Sequence, residues 1–422
     1  MRPTTSRLRQ TCLHLALTLP LSWGTVLPSR ADTLAQAMES AWAHHPQALS
    51  AQARHAQAQA QFDAATRLTP GPAAVSVANV NDRLNRDNGK QEWELELSVP
   101  LWLPGQQAAR QTEAQHARAT LAAQQQAVRL QLAGDVRAAW WALANARNAH
   151  ELAQHRLATA QALHADVQRR YQAGELSRID ANLAQSEQLA SAAELADADT
   201  ARRLAEQTYT TLTGSPPPAT LDAEAAAPLP ANAPATGTAG NTPPSDALHP
   251  QLAAAQAAAH LAQARLAVVD HTQRDAPTLA TRWVRNRSDH AARPVNTVGF
   301  KLSIPLSSGP RVQQDHAAAR AELAQADAEL ALAQRRVALD VARAQMDLAA
   351  AQRQIDTSRQ RHQLAADNLA LTEKAFALGE ADLPTLLRVR AAALDAQAQL
   401  QRHQVAHNAS QSSLNQAMGA LP

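Results

Sequence analysis

Glu92-Trp93-Glu94-Leu95-Glu96-Leu97-Ser98-Val99 alternates without a break between polar and apolar residues. Successive side chains of a β-strand point to opposite faces, so Trp93, Leu95, Leu97 and Val99 share one face and Glu92, Glu94, Glu96 and Ser98 the other. A second stretch repeats the pattern: Val298, Phe300, Leu302 and Ile304 alternate with Gly299, Lys301 and Ser303. Each has another strand candidate before it, Ala73 to Val80 and Thr278 to Asn286, across the polar loops 81–90 and 287–293. The two hairpins have strands of about 9–11 residues, which suits a transmembrane β-strand and also a half-buried strand in a soluble sheet. Four strands cannot close a barrel, and open edges are not tolerated in lipid. The chain therefore oligomerises, or its strands lie outside a membrane.

Working outward, everything around the hairpins also occurs twice. His45-Pro46-Gln47 returns as His249-Pro250-Gln251, and Leu97-Ser98-Val99-Pro100-Leu101 as Leu302-Ser303-Ile304-Pro305-Leu306. Tyr171-Gln172-Ala173-Gly174-Glu175 returns as Phe376-Ala377-Leu378-Gly379-Glu380, and Leu212-Thr213-Gly214 as Ala417-Met418-Gly419. The first landmark is offset by 204 residues and the other three by 205, in one order, which marks an internal duplication. The first repeat covers 32–214 (a helix, a β-hairpin at 73–102, a long helical hairpin at 105–213). The second covers 248–422 (a helix, a β-hairpin at 278–306, a long helical hairpin at 312–417). Residues 215–247 between them hold eight prolines and read as an extended or mobile linker.

Of the 422 residues only 12 are aromatic and 13 are Gly, although 45% are hydrophobic. That balance disfavours a mixed α/β enzyme and favours long, slender helices packed through Ala. No proline interrupts Gly105 to Ala173, long enough at 1.5 Å per residue for a rod of about 100 Å, and Val312 to Leu378 matches it. Leu323, Leu330, Val337 and Ala344 recur at steps of seven, with Val341, Leu348 and Ile355 continuing a coiled-coil seam; Val128, Leu132, Val136, Ala139 and Leu143 keep similar steps in the first copy. The shorter helices, Arg178 to Leu212 and Leu383 to Ala417, can fold back on their rods. The fold class is mainly α with a small β part: long coiled-coil helical hairpins plus two β-hairpins.

Residues 1–31 read as a secretory signal peptide: Arg2, Arg7 and Arg9 lead into an apolar run from Leu13 to Val26, then Ser29-Arg30-Ala31 places small residues at the −3 and −1 positions of a cleavage site. The sole cysteine, Cys12, precedes the apolar run and is not a lipoprotein cysteine. Cleavage removes four Arg and no acid, taking the formal charge from +2 to −2, which argues against a nucleic-acid partner. No phosphate loop, nucleophile elbow or metal-ligand spacing appears, so neither an enzymatic activity nor a cofactor is expected. Sixteen histidines, including His403 and His407 four apart and the adjacent His44 and His45, form no cluster with carboxylate or thiolate support, and no metal site is expected.

The duplicated helix–hairpin–rod plan resembles the TolC-like outer-membrane efflux proteins over essentially the whole mature chain. The resemblance implies a homotrimer in which each protomer gives four strands to a shared barrel, above an α-barrel tunnel crossing the periplasm. It implies a passive exit duct docked to a periplasmic adaptor (membrane fusion protein) and an inner-membrane pump, here of RND type. Trp93, Leu95, Leu97, Val99, Val298, Phe300, Leu302 and Ile304 would then face outer-membrane lipid. Glu92, Glu94, Glu96, Lys301 and Ser303 would line the lumen, nine carboxylates and three ammonium groups per trimer. Gly174, Glu175, Leu176, Gly379, Glu380 and Leu383 would form the periplasmic tip that meets the adaptor.

The best-known family members carry aspartates six and nine positions after the second-copy glycine; here those positions are Thr385 and Arg388, so the aperture falls to Asp180, Asp382, Thr385 and Arg388. The short mature chain, the missing lipid anchor and the Val99-Pro100-Leu101-Trp102 junction look like the heavy-metal (CzcC-type) branch, which implies metal cations as cargo. Drug, small-molecule or protein-secretion ducts of the same fold are the alternative. From other classes, a periplasmic adaptor fits the duplicated plan poorly, and a coiled-coil scaffold leaves the repeated strands unexplained.

Overall fold

The computed structural model describes residues 33–85, 87–227, 249–306 and 309–422. The signal-peptide assignment falls outside the described residues. In chain order the elements are α1 (Leu34–His44), α2 (Pro46–Thr66), β1 (Ala74–Asn81), β2 (Gln91–Pro100), α3 (Gln106–Gln172), α4 (Arg178–Thr213), α5 (Pro250–Asp270), β3 (Thr278–Arg287), β4 (Val295–Ser303), α6 (Gly309–Ala377) and α7 (Leu383–Ala417). Among the described residues the order helix, β-hairpin, long helix, shorter helix occurs twice. In the first copy Pro46, which lacks a backbone donor, begins α2 while the His45 side chain caps Gln47, and in the second copy Pro250 and His249 begin α5 in the same way. The His45 ring also stacks on Trp42 at 5.5 Å.

The rods α3 and α6 run 67 and 69 residues, about 100 Å each. Each pairs with its shorter returning helix, α4 or α7, and α5 packs against both rods, joining the copies. The seam read from the sequence faces inward: Leu132, Val136, Ala139 and Leu143 are buried in α3, and Leu323 and Leu330 pack on Ala259 and Ala262 of α5. The largest core cluster combines α1 (Leu34, Met38) with Trp140 and Trp141 of α3 and Tyr209 of α4; Val405 of α7 closes it. Gly134, the single glycine inside α3, has a reason in this packing. Gln416 of α7 donates to the Leu130 carbonyl at 2.8 Å, and a Cβ at 134 would stand 3.1 Å from the same amide nitrogen.

The strands form one antiparallel sheet in the order β1-β2-β3-β4. The hairpins are joined through β2 and β3, where Leu95 faces Trp283 and Val99 faces Leu279. The outer edges of β1 and β4 are unpaired among the described residues. The strand β4 starts at Val295, earlier than the alternation from Val298 indicated, and ends before Ile304.

Of the two alternatives for the linker, extended or mobile, residues 215–227 show a segment without helix or strand that is held in place; residues 228–247 lie outside the described set. Instead of running free, 215–227 is strapped across the helices. Arg137, 3% exposed, donates through Nε to Glu224 Oε2 at 2.9 Å and through Nη2 to the Ala420 carbonyl at 3.0 Å; Gln416 also accepts from it. Asn415 of α7 donates to the Ala225 carbonyl at 2.8 Å and accepts from the Ala227 amide at 3.0 Å. Arg147 donates to the Pro218 carbonyl at 2.7 Å, and Leu221 packs on the main core cluster. Prolines that cannot continue a helix leave carbonyls free, and α3 and α7 supply the donors.

Removing one member of a buried ion pair strands its partner, at a cost of about 3–5 kcal/mol. Arg137→Met is therefore expected to lower the thermal midpoint of the detergent-solubilised protein, followed by near-ultraviolet circular dichroism. The double variant Arg137→Met/Glu224→Leu is expected to recover most of the loss. An unchanged midpoint in the single variant would show that the strap carries no stability.

Candidate functional site

The register sorts the strand residues into two faces, because directly paired residues lie on the same side of a sheet. One face collects Val75 and Val77 of β1, Trp93, Leu95, Leu97 and Val99 of β2, Leu279 and Trp283 of β3, and Val298, Phe300 and Leu302 of β4. It holds every in-strand residue expected to meet lipid, and it is open to the surroundings: Phe300 is 82% exposed and Val298 69%. An exposed apolar surface of this extent marks a membrane or protein contact. Ile304, just past β4, is also exposed.

The opposite face carries Glu92, Glu94, Glu96 and Ser98 beside Ala280, Arg282 and Val284, with Lys301 and Ser303 on β4. Arg282 was not among the residues expected there. The stretch Thr278 to Asn286 mixes polar and apolar residues on both sides, so its orientation became readable only from its pairing with β2. Arg282 donates to Glu94 at 3.1 Å, and Lys301 stands 3.9 Å from Glu96. Glu92 has no ion pair among the described residues. The polar face thus carries three acids against two bases per chain, less acidic than the three against one expected from the sequence.

The far ends of the rods form a tip in which both copies share a core. Leu163 and Val167 of α3 and Ala181 and Ala184 of α4 pack with Phe376 of α6 and Leu383 and Leu386 of α7. Each turn ends its rod with a positive-φ glycine, Gly174 (φ 82°) and Gly379 (φ 78°). The Gly174 amide donates to the Tyr171 carbonyl at 3.0 Å and the Glu175 amide to Arg170 at 2.9 Å; the Glu380 amide donates to Ala375 at 2.8 Å. These bonds satisfy the last carbonyls of each helix. Arg170 spans the copies, pairing with Glu175 at 3.2 Å while its guanidinium lies 5.0 Å from the Phe376 ring.

The expected tip residues divide accordingly. Gly174, Glu175, Gly379 and Glu380 are exposed and Leu176 is partly buried. Leu383, expected to meet an adaptor, is only 2% exposed and belongs to the tip core: as the first residue of α7 it turns inward against Phe376. The aperture acids are both helix caps. Asp180 accepts from the Ser177 amide and hydroxyl at 3.1 and 2.7 Å in a capping box, and Asp382 accepts from the Thr385 amide at 3.0 Å. Arg388 is exposed.

The histidines are dispersed. His403 bonds Ser358, and among the described residues no three His, Cys, Asp or Glu side chains gather as a metal would need. Among the same residues no helix is long and apolar enough to cross a membrane.

Comparison with known proteins now defines the class. The sequence profile described as "Outer membrane efflux protein" matches residues 37–215 and 244–420, and the chain belongs to that family. Its members are passive channels, not enzymes, and the chain is accordingly an outer-membrane efflux channel of the TolC type, with its helices in the periplasm. The fold is similar to that of CusC (TM-score 0.75, 17% identity, 96% of each chain covered). It is also similar to VceC from Vibrio cholerae (0.71, 19%, 92% of this chain and 96% of that one) and to CmeC from Campylobacter jejuni (0.72, 13%, 92% and 85%). No curated protein sequence matches the chain.

The Thr385 hydroxyl, the Thr385 amide and, more distantly, Arg388 hold the Asp382 carboxyl below its ordinary value of 3.8. A lowered carboxylate stabilises the fold above its unfolded-state pKa, and that contribution disappears as pH falls through the folded-state value. The protection factors of the Thr385 and Leu386 amides, each taken against the intrinsic exchange rate at the same pH, are therefore expected to be high at neutral pH and to fall as Asp382 protonates. Asp382→Ala is expected to show low protection factors at these two amides at every pH, with no such step.

Proposed function

We propose that the protein works as a homotrimeric exit duct of a tripartite efflux system, receiving cargo from a periplasmic adaptor and an RND-type inner-membrane pump. Family membership supports the duct, and the two-faced sheet with unpaired β1 and β4 edges supports the trimer. In this reading the apolar face meets lipid and the face bearing Glu92, Glu94, Glu96, Arg282, Lys301 and Ser303 meets water. A second feature favours self-association. Leu332, Leu339 and Met346 of α6, then Leu364, Leu371 and Leu378, recur at steps of seven and are all exposed in the single chain. Such spacing on an open helix face suits packing against a neighbouring copy. The tip with Gly174, Glu175, Leu176, Gly379 and Glu380 is the docking point for the adaptor, and Leu383 supports it from within.

Metal cations are the cargo we favour, and one observation carries that choice: the polar face keeps an excess of carboxylate, with Glu92 in no ion pair among the described residues. A lumen of one sign raises the local concentration of the opposite ion. The absence of a tight metal cluster among the described residues suits a conduit, in which bound ions must also leave. Organic small molecules are the competing cargo.

A strain lacking the gene is expected to lose growth on graded zinc, cadmium, cobalt, copper or silver, and a plasmid copy to restore it. Sensitivity confined to dyes and antibiotics would transfer the assignment to organic cargo. In planar bilayers Arg388→Ala is expected to change single-channel conductance or ion preference, and an unchanged record would remove Arg388 from the constriction.

A further inference from the structure

The apolar face changes character toward its hairpin end. Going away from the helices, β3 presents Leu279, Thr281, Trp283, Arg285 and Arg287 on this face, and β2 presents Val99, Leu97, Leu95, Trp93 and Gln91. A recess of about 400 Å³ opens there, lined by residues that include Gln91, Trp93, Trp283, Arg285, Arg287 and Pro294. Arg285 lies directly across from Trp93 and has no hydrogen bond or ion pair among the described residues. Arg287 donates its Nε to the Gly89 carbonyl at 3.1 Å, which fixes the side chain and leaves its terminal nitrogens available. No strand places an acid on this face.

The surrounding loops do not neutralise the pair. Residues 81–90 and 287–294 contain five Arg or Lys and three Asp. All three acids are engaged locally: Asp82 with the Asn88 amide, Asp289 with the Ala291 and Ala292 amides, and Asp87 beside His290. Two uncompensated guanidinium groups on a lipid-exposed face are costly in hydrocarbon but favourable at headgroup depth, the level that Trp side chains occupy. Arg285 stands two residues beyond Trp283, about 7 Å along the strand, which is comparable to the headgroup layer. Guanidinium groups bind phosphate by paired hydrogen bonds.

We propose that this recess is a binding site for the phosphorylated glycolipid of the outer leaflet, lipopolysaccharide. A lipid A phosphate bridges Arg285 and Arg287, its sugar lies against Trp93, and its acyl chains follow Leu95 and Trp283 toward the helices. The inference rests on the reading that the apolar face meets lipid, and it adds an outer-leaflet lipid as a resident ligand of the channel.

The test is native mass spectrometry of the full-length protein in detergent after incubation with bisphosphorylated lipid A, dephosphorylated lipid A or phosphatidylglycerol. The wild type is expected to retain bisphosphorylated lipid A at least tenfold more than either other lipid. Arg285→Gln/Arg287→Gln is expected to lose that preference while eluting as wild type on size exclusion, and the Lys/Lys double variant to keep part of it. Equal retention by the Gln variant, or equal retention of dephosphorylated lipid A, overturns the site. Phosphatidylglycerol held as tightly as lipid A overturns the outer-leaflet assignment. The underlying reading is checked separately with bimane on Phe300→Cys in a Cys12→Ser background, reconstituted with brominated lipid. Quenching there with no lipid A retention rejects the site alone; no quenching rejects the lipid-facing sheet as well.

Discussion

Backbone hydrogen bonding at a sheet edge is the constraint on which the rest of this molecule depends. Inside a bilayer every amide and carbonyl needs a protein partner, and a strand edge facing hydrocarbon has none. The chain contributes four strands whose inner three ladders are complete and whose β1 and β4 edges are open. In the proposed trimer those edges would pair with other chains. The duplication follows the same logic. Each repeat brings one hairpin, and the β2–β3 ladder fuses two hairpins into a single twice-wide unit, so fewer subunits are needed to close a ring.

Fusing the hairpins at one end obliges the two helical halves to stay in step along rods of about 100 Å. Three places hold them. Near the membrane, α5 fills the space between α3 and α6 through Ala259 and Ala262, small enough for close approach. Midway, Arg137 of the first repeat holds Glu224 of the strap and Gln416 of the second. At the tip, Arg170 of α3 covers Phe376 of α6. Each contact joins residues far apart in sequence, and the two polar ones use Arg, whose several donors can serve two repeats at once.

The regular parts of this structure were legible because each rests on a local period. The strands β1 and β2, the start of α4 at Arg178 and the bounds of α7 follow from alternation, capping residues and helix-turn glycines, all local signals. The faces of β2 and β4 followed from alternation as well. What the sequence hid depends on pairing. Arg282 sits in a strand apolar on neither side, so only its register opposite Glu96 assigns its face. Leu383 was placed by resemblance among the tip residues that meet an adaptor, whereas it is buried in the tip core with Phe376 of another helix. Residues 215–227 read only as extended or mobile, because proline content describes the helix they cannot form, not the Arg and Asn donors waiting on α3 and α7.

The chemistry left to such a channel is restrained for a physical reason. A conduit that held its cargo tightly would stop conducting, so a polar face that lines the lumen, as proposed, would have to attract without binding. Pairing Glu94 with Arg282 and Glu96 with Lys301 does this. Each exposed pair is worth little to stability, but it removes two of three carboxylates as independent ligands and leaves a modest negative field. The cations are placed by register: Arg282 and Lys301 lie on β3 and β4, across the sheet from the acids of β2. A lumen built from one strand type alone would concentrate like charges on neighbouring rungs. Two different hairpins in one chain allow opposite charges to be interleaved, a property that duplication followed by divergence can supply and an exact repeat cannot.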